Sequence, residues 1–328
     1  MPGSSPNTSK HPASPGKILP ILALIGATAF WGSSFLTVST AVASTDPFTL
    51  VFMRFTLGAL LVFAMLRTRA FRIPAATWKM GAICATAIYG GYLFNHIGLE
   101  TLMSSTSGFL TALYVPITPF LFWAMSGRRP DNFAFCGALI AFAGLVFLAN
   151  PTAISVTGGR GEIATIIGAF LSAFEIILMG RYANRCEAKE IAFTQICFVA
   201  LYALIGAIFV RLLGLPLHPT VFSRDLIFCV GWLAVLLTGA QLLLAWGQKY
   251  VPPAQTAVIF ALESVFAAII GWIAGERLGV TGFTGGALIV AGILVSEMKS
   301  LLSGRKAPAE VLEAQKAREE NLATKEEH

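Results

Sequence analysis

The chain consists largely of apolar runs that are each long enough to cross a lipid bilayer. About 20 apolar residues cross the hydrocarbon core as an α-helix, and the connections between these runs are too short to hold a soluble domain. The sequence therefore predicts an all-α membrane protein with ten transmembrane helices. The predicted spans are residues 18–42, 47–66, 77–98, 103–125, 132–149, 161–181, 191–213, 226–247, 253–274 and 280–298.

Composition indicates the same class of protein, because only 12% of the residues are charged. Soluble domains carry about 25% charged residues, and a chain so poor in charge cannot cover a globule with polar surface. The basic residues behind the net charge of +6 are scattered between the apolar runs, so no nucleic-acid partner is expected. The first run ends near the small residues "AVAS" (41–44), like a signal peptide, but it is too long to be one.

The distribution of Lys and Arg predicts which connections face the cytoplasm. Cytoplasmic loops of membrane proteins carry an excess of these residues. Eighteen of the 23 Lys and Arg residues fall on one side of the predicted membrane and four on the other, with Arg54 inside a span. The four are Arg160, Arg211, Arg224 and Arg277. We therefore expect a multi-pass protein of the cytoplasmic membrane with both termini in the cytoplasm.

The two halves of the chain resemble each other when the sequence is shifted by 149 residues. At this offset Trp123 aligns with Trp272, and the tetrapeptide "GALI" occurs at both 137–140 and 286–289. Further identities are Ala112 with Ala261 and Leu113 with Leu262. Each half contains five predicted spans, an odd number, so the second half enters the membrane in the opposite orientation to the first.

Such an inverted repeat predicts a substrate site near the bilayer midplane, where the two halves meet, and it permits alternating access. Channels, receptors and membrane enzymes have less need of this symmetry. We expect a disordered cytoplasmic N-terminus (1–17), two five-span repeats (18–150 and 160–298) and a cytoplasmic C-terminal tail (299–328).

Four short motifs resemble the EamA-type transporters of the drug/metabolite transporter superfamily. They are "AFWGSSF" (29–35), "FMRF" (52–55), "GLETLMSSTSGFLTAL" (98–113) and "ALESVFAAIIGWIAGERL" (261–278). The resemblance covers roughly residues 20–298 and implies a secondary transporter with a duplicated EamA-type repeat. It also implies that the fifth and tenth spans serve packing or homodimer contacts. Exporters of amino acids, sugars, nucleotide precursors and lipophilic compounds share these motifs, so the substrate stays open.

The ninth span departs from the family pattern, which usually reads Leu-Glu-Pro-Val. Ser264 stands in place of the proline, and Tyr114 in the first half aligns with Glu263. Pro116 and Pro119 are expected to kink the fourth span instead. Because the halves have diverged in this way, a mirror-symmetric site with paired acids does not follow from the repeat.

Ionisable residues within spans usually face a cavity or a charged partner. Glu263 is either a cavity-facing carboxylate that exchanges a proton or an acceptor for a neighbouring helix, and its place in the family motif favours the structural role. Glu175 is less expected from the family pattern than Glu263, and it is a candidate proton-coupling site if it faces the cavity. Arg54 lies about two turns from the external end of the second span. It either extends outward to the membrane surface or pairs with a carboxylate, and the resemblance favours a structural anchor.

Polar and aromatic residues of the spans outline a candidate substrate cavity. They are Trp31, Ser34, Tyr89, Tyr92, Asn95, Ser107, Thr111, Tyr114, Glu175, Gln241, Trp246 and Gln255. Tyr92 and Gln241 are repeat counterparts, which places both at a similar depth. Any single one of them could instead hydrogen-bond to a neighbouring helix. The mixture of rings and hydroxyl groups suits a modest-sized amphipathic solute.

The sequence contains no cluster of His, Cys or acidic residues with metal-ligand spacing, no catalytic constellation and no glycine-rich phosphate loop. We therefore expect neither an enzyme nor a metal or cofactor site, and no ATP-driven transport by this chain. The leading hypothesis is a secondary transporter that exports a small metabolite such as an amino acid by alternating access, with or without proton exchange. Efflux of lipophilic or cationic drugs is the alternative, and a lipid flippase or membrane-embedded enzyme is less favoured. The expected partners are a small-molecule substrate and the lipid bilayer.

Overall fold

The computed structural model describes residues 18–102, 104–149, 158–214, 219–273 and 279–302, and all regular secondary structure within these ranges is helical. The α-helices are α1 (Ile18–Val42), α2 (Pro47–Leu66), α3 (Ala75–Leu99), α4 (Ser104–Thr111), α5 (Tyr114–Ser126), α6 (Asn132–Ala149), α7 (Arg160–Tyr182), α8 (Ala188–Leu212), α9 (Arg224–Gly247), α10 (Pro253–Phe260), α11 (Leu262–Ile273) and α12 (Val280–Leu302). Short 3-10 helices, Arg67–Arg72 and Ala183–Arg185, follow α2 and α7. The predictions for Arg277 and for the chain before Ile18 and beyond Leu302 concern residues outside the described ranges.

Helices occupy all ten predicted spans, and eight helical stretches of the described chain are long and apolar enough to cross a membrane. These eight are Ile18–Val42, Pro47–Arg72, Thr106–Ser126, Arg160–Arg185, Ala188–Leu212, Arg224–Gly247, Pro253–Ile270 and Val280–Met298. Asn132–Leu148 is a shorter apolar helix, and α3 fills the remaining predicted span. The prediction of an all-helical, multi-pass membrane protein is confirmed, whereas the count of ten spans stays a prediction.

The fourth and ninth predicted spans are each broken near their centre. The first break, between α4 and α5, falls at Ala112 and Leu113. Pro116 has no N–H to offer the carbonyl of Ala112, which accepts from the N–H of Val115 at 3.0 Å instead. The second break falls at Ala261, the repeat counterpart of Ala112, although no proline follows it.

Several helices pair at glycines, which let two backbones approach closely. Gly137 of α6 packs against Gly292 of α12, and Gly144 packs against Gly285. Since the residue number rises along α6 as it falls along α12, these two helices run antiparallel.

The helices α2 and α8 also run antiparallel to each other. In this pair Gly58 lies beside Ile196, and Gly206 lies beside Phe48. Two further close pairs are α1 with α9 and α3 with α7, in which the helices are likewise antiparallel.

Connections that were predicted to share one side of the membrane lie together in the fold. At one end, the N–H of Val221 donates to the carbonyl of Ser44 at 2.9 Å, and a 4.0 Å ion pair joins Arg211 to Asp46. At the other end lies an open cavity, called the basic cavity below. Its lining includes Arg67, Arg69, Lys189 and Lys249, together with Glu187, Trp246 and neighbouring residues. Large apolar side chains such as Phe228 and Leu212 point outward from the bundle, as lipid contact requires.

Candidate substrate cavity

A cavity of about 90 Å³ lies in the centre of the bundle, and both halves of the chain form its walls. The first half contributes residues of α1, α2, α3, α4 and α5, and the second half contributes α7, α10 and α11. Its lining residues are Trp31, Ser34, Phe35, Val38, Arg54, Ile88, Gly91, Tyr92, Asn95, His96, Thr111, Tyr114, Ser172, Glu175, Ile176, Phe260 and Glu263. The site thus combines aromatic and aliphatic walls with two carboxyl groups, one guanidinium group, hydroxyl groups and an imidazole.

Glu175 lines this cavity from the middle of α7. Its side chain is only 3% exposed, and Oε1 accepts a hydrogen bond from Nε2 of Gln195 at 2.9 Å. Because Gln195 belongs to α8, this bond fixes the carboxyl group between two helices of the second half. The arrangement keeps an acidic group at the cavity wall and holds its orientation.

Glu263 lines the cavity from the first turn of α11, next to the helix break at Ala261. The hydroxyl of Tyr114 lies 3.1 Å from Oε2 of Glu263 and 2.9 Å from the carbonyl oxygen of Phe260. A carbonyl at the end of a helix has no partner within the helix, and Tyr114 supplies one here. Tyr114 therefore ties the break in one half to the break in the other.

Arg54 enters the cavity from α2 and is only 1% exposed. Its Nη1 lies 3.4 Å from Nε2 of His96, whose Nδ1 bonds to the carbonyl of Tyr92 one turn earlier in α3. Arginine can only donate, so Nε2 of His96 accepts, and Nδ1 carries the proton. The guanidinium carbon also lies 4.8 Å from the centre of the Tyr92 ring, within the range of a cation–π contact.

Hydroxyl and amide groups form a second polar wall. Nδ2 of Asn95 donates to Oγ1 of Thr111 at 2.7 Å and to Oγ of Ser107 at 3.4 Å, which links α3 to α4. On the facing helix, Ser34 donates to the carbonyl of Trp31 at 2.7 Å. Trp31 in turn packs edge-on against Phe260 with ring centroids 5.0 Å apart.

The structure brings most of the predicted cavity residues together and places five of them elsewhere. Tyr89 packs beside Tyr202, and Ser107 accepts a hydrogen bond from Asn95 but does not line the cavity. Gln241 is buried without a hydrogen-bond partner for its amide. Trp246 lines the basic cavity at the end of the bundle. Gln255 donates to the carbonyl of Ser296 at 3.1 Å. The repeat counterparts Tyr92 and Gln241 therefore differ, since only Tyr92 lines the cavity.

His96 and Ser172 line the cavity but were not among the predicted site residues. The sequence signal for His96 was its position four residues after Tyr92, which puts both side chains on one helix face. Ser172 lies three residues before Glu175 in α7 and shares its face in the same way. In the part of the chain that the structure describes, no group of three or more His, Cys, Asp or Glu side chains could hold a metal ion.

Comparison with known proteins identifies the family. The profile of the EamA-like transporter family matches residues 18–150 and again residues 159–298. A protein of Archaeoglobus fulgidus described as an uncharacterized transporter is 27% identical over 271 residues, which cover 82% of each chain. A second uncharacterized transporter of that organism is 20% identical over 283 residues, covering 82% of this chain and 94% of its own.

A solved crystal structure shares the fold with a TM-score of 0.70 at 20% sequence identity, covering 89% of this chain and 100% of the other. The family profile, by contrast, spans nearly all of the described helices and occurs twice. The chain belongs to the EamA-like transporter family.

Proposed function

We propose that this protein is a secondary transporter of the cytoplasmic membrane that exports a small metabolite such as an amino acid, and that the central cavity is its substrate site. The observation that carries the proposal is the composition of the cavity wall. Trp31, Arg54 and Tyr114 come from the first half of the chain, and Glu175 and Glu263 come from the second. A solute held between two halves is exposed to either side when one half rocks against the other.

The proposal includes ten spans arranged as two inverted five-helix repeats, in residues 18–150 and 160–298, with both termini in the cytoplasm. The antiparallel pairing of α2 with α8 and of α6 with α12 supports it, because each pair joins counterpart helices of the two halves. Helix breaks at the counterparts Ala112 and Ala261 support it as well. Broken helices at a repeat interface are a recurrent feature of transporter substrate sites.

The two carboxyl groups suit proton exchange during export. A carboxylate with apolar surroundings is strongly disfavoured unless it is paired, and the cavity contains two acids but one arginine. We infer that Glu175 or Glu263 is protonated when no substrate is bound, and that the amino group of a substrate replaces this proton. Outward movement of substrate would then accompany inward movement of a proton.

The test is transport by purified protein in proteoliposomes. Counterflow and net uptake are measured for a panel of amino acids, sugars and cationic dyes, with and without a pH gradient, against protein-free liposomes. Acceleration of amino-acid flux by the gradient is the expected result. Flux of the dyes alone would favour the drug-efflux alternative, which the two cavity acids also suit. Absence of flux for every solute would overturn the transport proposal.

A further inference from the structure

The guanidinium group of Arg54 has an unused hydrogen-bonding edge. Its Nη1 contacts His96 at 3.4 Å, but Nε and Nη2 are buried without any hydrogen-bond partner. Among the described residues, the carboxylates of Asp and Glu form no ion pair with Arg54. A buried cation without a counter-ion is strongly unfavourable, so this arrangement is unusual for a residue that serves packing alone.

The unused edge has the geometry that a carboxylate requires. The N–H groups of Nε and Nη2 point in parallel from one edge of the guanidinium group, within its plane, and such a pair binds both oxygens of a carboxylate at once. His96 contacts the third nitrogen, Nη1. The rings of Tyr92 and Phe55 lie 4.8 Å and 5.7 Å from the guanidinium carbon, so they restrict how the group can turn.

Arg54 comes from the first half of the chain, whereas the acidic groups of the cavity come from the second half. Glu175 and Glu263 line the same cavity, and their described hydrogen bonds engage one oxygen of each carboxyl group. A solute with an anionic group at one end and a cationic group at the other would satisfy both sides of the cavity. An α-amino acid has these two groups on one carbon atom.

We propose that Arg54 is the substrate-recognition residue of this cavity and that it binds the carboxylate of the transported solute, while the acids of the second half receive its ammonium group. This assignment rests on the proposed function and narrows it to solutes with a free carboxylate. His96 is assigned as a positioning residue, because its Nε2 accepts from Nη1 of Arg54. If Arg54 were only a structural anchor, removal of the substrate carboxylate would leave binding unchanged.

The experiment compares solutes that differ only at the carboxylate. Purified wild-type protein is tested by thermal-shift binding and by counterflow with the twenty L-amino acids, the amide and the decarboxylated amine of each, and the deaminated carboxylic acids. A charge-assisted, two-point hydrogen bond should favour the free carboxylate over the amide by roughly tenfold or more. If no carboxylate in the panel binds better than its amide, the assignment is overturned, whatever other solutes are carried.

Variants then locate the effect. Arg54→Gln should bring the ratio of carboxylate affinity to amide affinity close to one. Arg54→Lys should reduce this ratio only partly, because lysine keeps the positive charge but lacks two parallel N–H donors. Arg72→Gln, which removes an exposed arginine outside the cavity, is the matched control and should keep the full ratio. An unchanged ratio in Arg54→Lys and Arg54→Gln overturns the assignment. If Arg54→Gln does not fold, the assignment is judged from the ratio of carboxylate to amide binding in the wild-type and Arg54→Lys proteins.

The two proposals fail in different ways. Flux of neutral or cationic solutes without any dependence on a carboxylate leaves the transport proposal intact and removes the role of Arg54. Carboxylate-selective binding without flux retains the role of Arg54 and removes the transport proposal.

Discussion

The hydroxyl of Tyr114 donates a hydrogen bond of 3.1 Å to Glu263, the residue that occupies the same position in the second half of the chain. In the inverted repeat proposed above, two counterparts touch in this way only if they lie close to the axis that relates the two halves. The same hydroxyl lies 2.9 Å from the carbonyl oxygen of Phe260, so its one proton is shared between the two acceptors. The tyrosine of one half therefore completes the broken helix of the other half at the wall of the cavity.

Replacement of this tyrosine tests how much the cross-half contact stabilises the fold. Tyr114→Phe leaves the Phe260 carbonyl and the Glu263 carboxyl group without this donor, so we expect the free energy of unfolding to fall by about 1–3 kcal/mol. Thermal unfolding in detergent measures the change. Tyr250→Phe removes a hydroxyl from an exposed ring outside the cavity and should shift stability by less than about 0.5 kcal/mol. Equal effects of the two substitutions would contradict the role given to Tyr114.

Neutralisation of Glu175 tests proton coupling. Glu175→Gln can still accept the hydrogen bond from Gln195, so we expect a folded protein that exchanges substrate at equal pH on both sides. Its accumulation of substrate under a pH gradient should fall to the level without a gradient, because the amide cannot carry a proton. Glu100→Gln, at an exposed acid after α3, is the control. Intact gradient-driven transport would exclude Glu175 as the proton site, and Glu263→Gln is then the variant to test.

Adjacent glycines of α12 test the contact between α6 and α12. A Cβ atom on Gly285 would lie 2.6 Å from the carbonyl oxygen of Gly144 and 2.7 Å from Cα of Leu148, whereas a Cβ on Gly286 meets nothing within 4 Å. Gly285→Ala should therefore lower stability by about 1–3 kcal/mol through overpacking. Gly286→Ala should be neutral or stabilise the helix by up to about 1 kcal/mol. Unfolding temperatures of the two proteins provide the comparison, and a reversed order would show that this packing is wrong.

Two exposed phenylalanines test the predicted orientation in the membrane. Phe71 is 80% exposed beside the basic cavity, and Phe222 is 74% exposed at the opposite end of the bundle. In a background without native cysteines, a membrane-impermeant maleimide should label Phe222→Cys in intact cells and should label Phe71→Cys only after permeabilisation. The opposite pattern would place the termini outside the cytoplasm.

The sequence alone predicted the helical segments because membrane burial demands long apolar runs with satisfied backbones. It also predicted that residues 112 and 261 are equivalent, because the offset of 149 residues aligned them, and the structure breaks both helices at these positions. Charge in an apolar run singled out Glu175, Glu263 and Arg54. All three line the cavity, although the sequence favoured a structural role for Glu263 and for Arg54. An ionised side chain has few tolerable positions in a bilayer, so its presence alone is informative.

Only the tertiary structure decided which uncharged polar residues face the cavity. A helix in a membrane meets apolar surroundings on the lipid side and against its neighbours, so the contrast that reveals the inner face of a soluble helix is weak. Tyr92 and Gln241 have equivalent places in the repeat, but they have different neighbours. The "GALI" segments are identical, yet a Cβ on Gly137 of α6 would collide with α12, whereas a Cβ on Gly286 would meet nothing within 4 Å. These differences arise from how each helix is rotated against its neighbours, which depends on contacts between residues far apart in the chain.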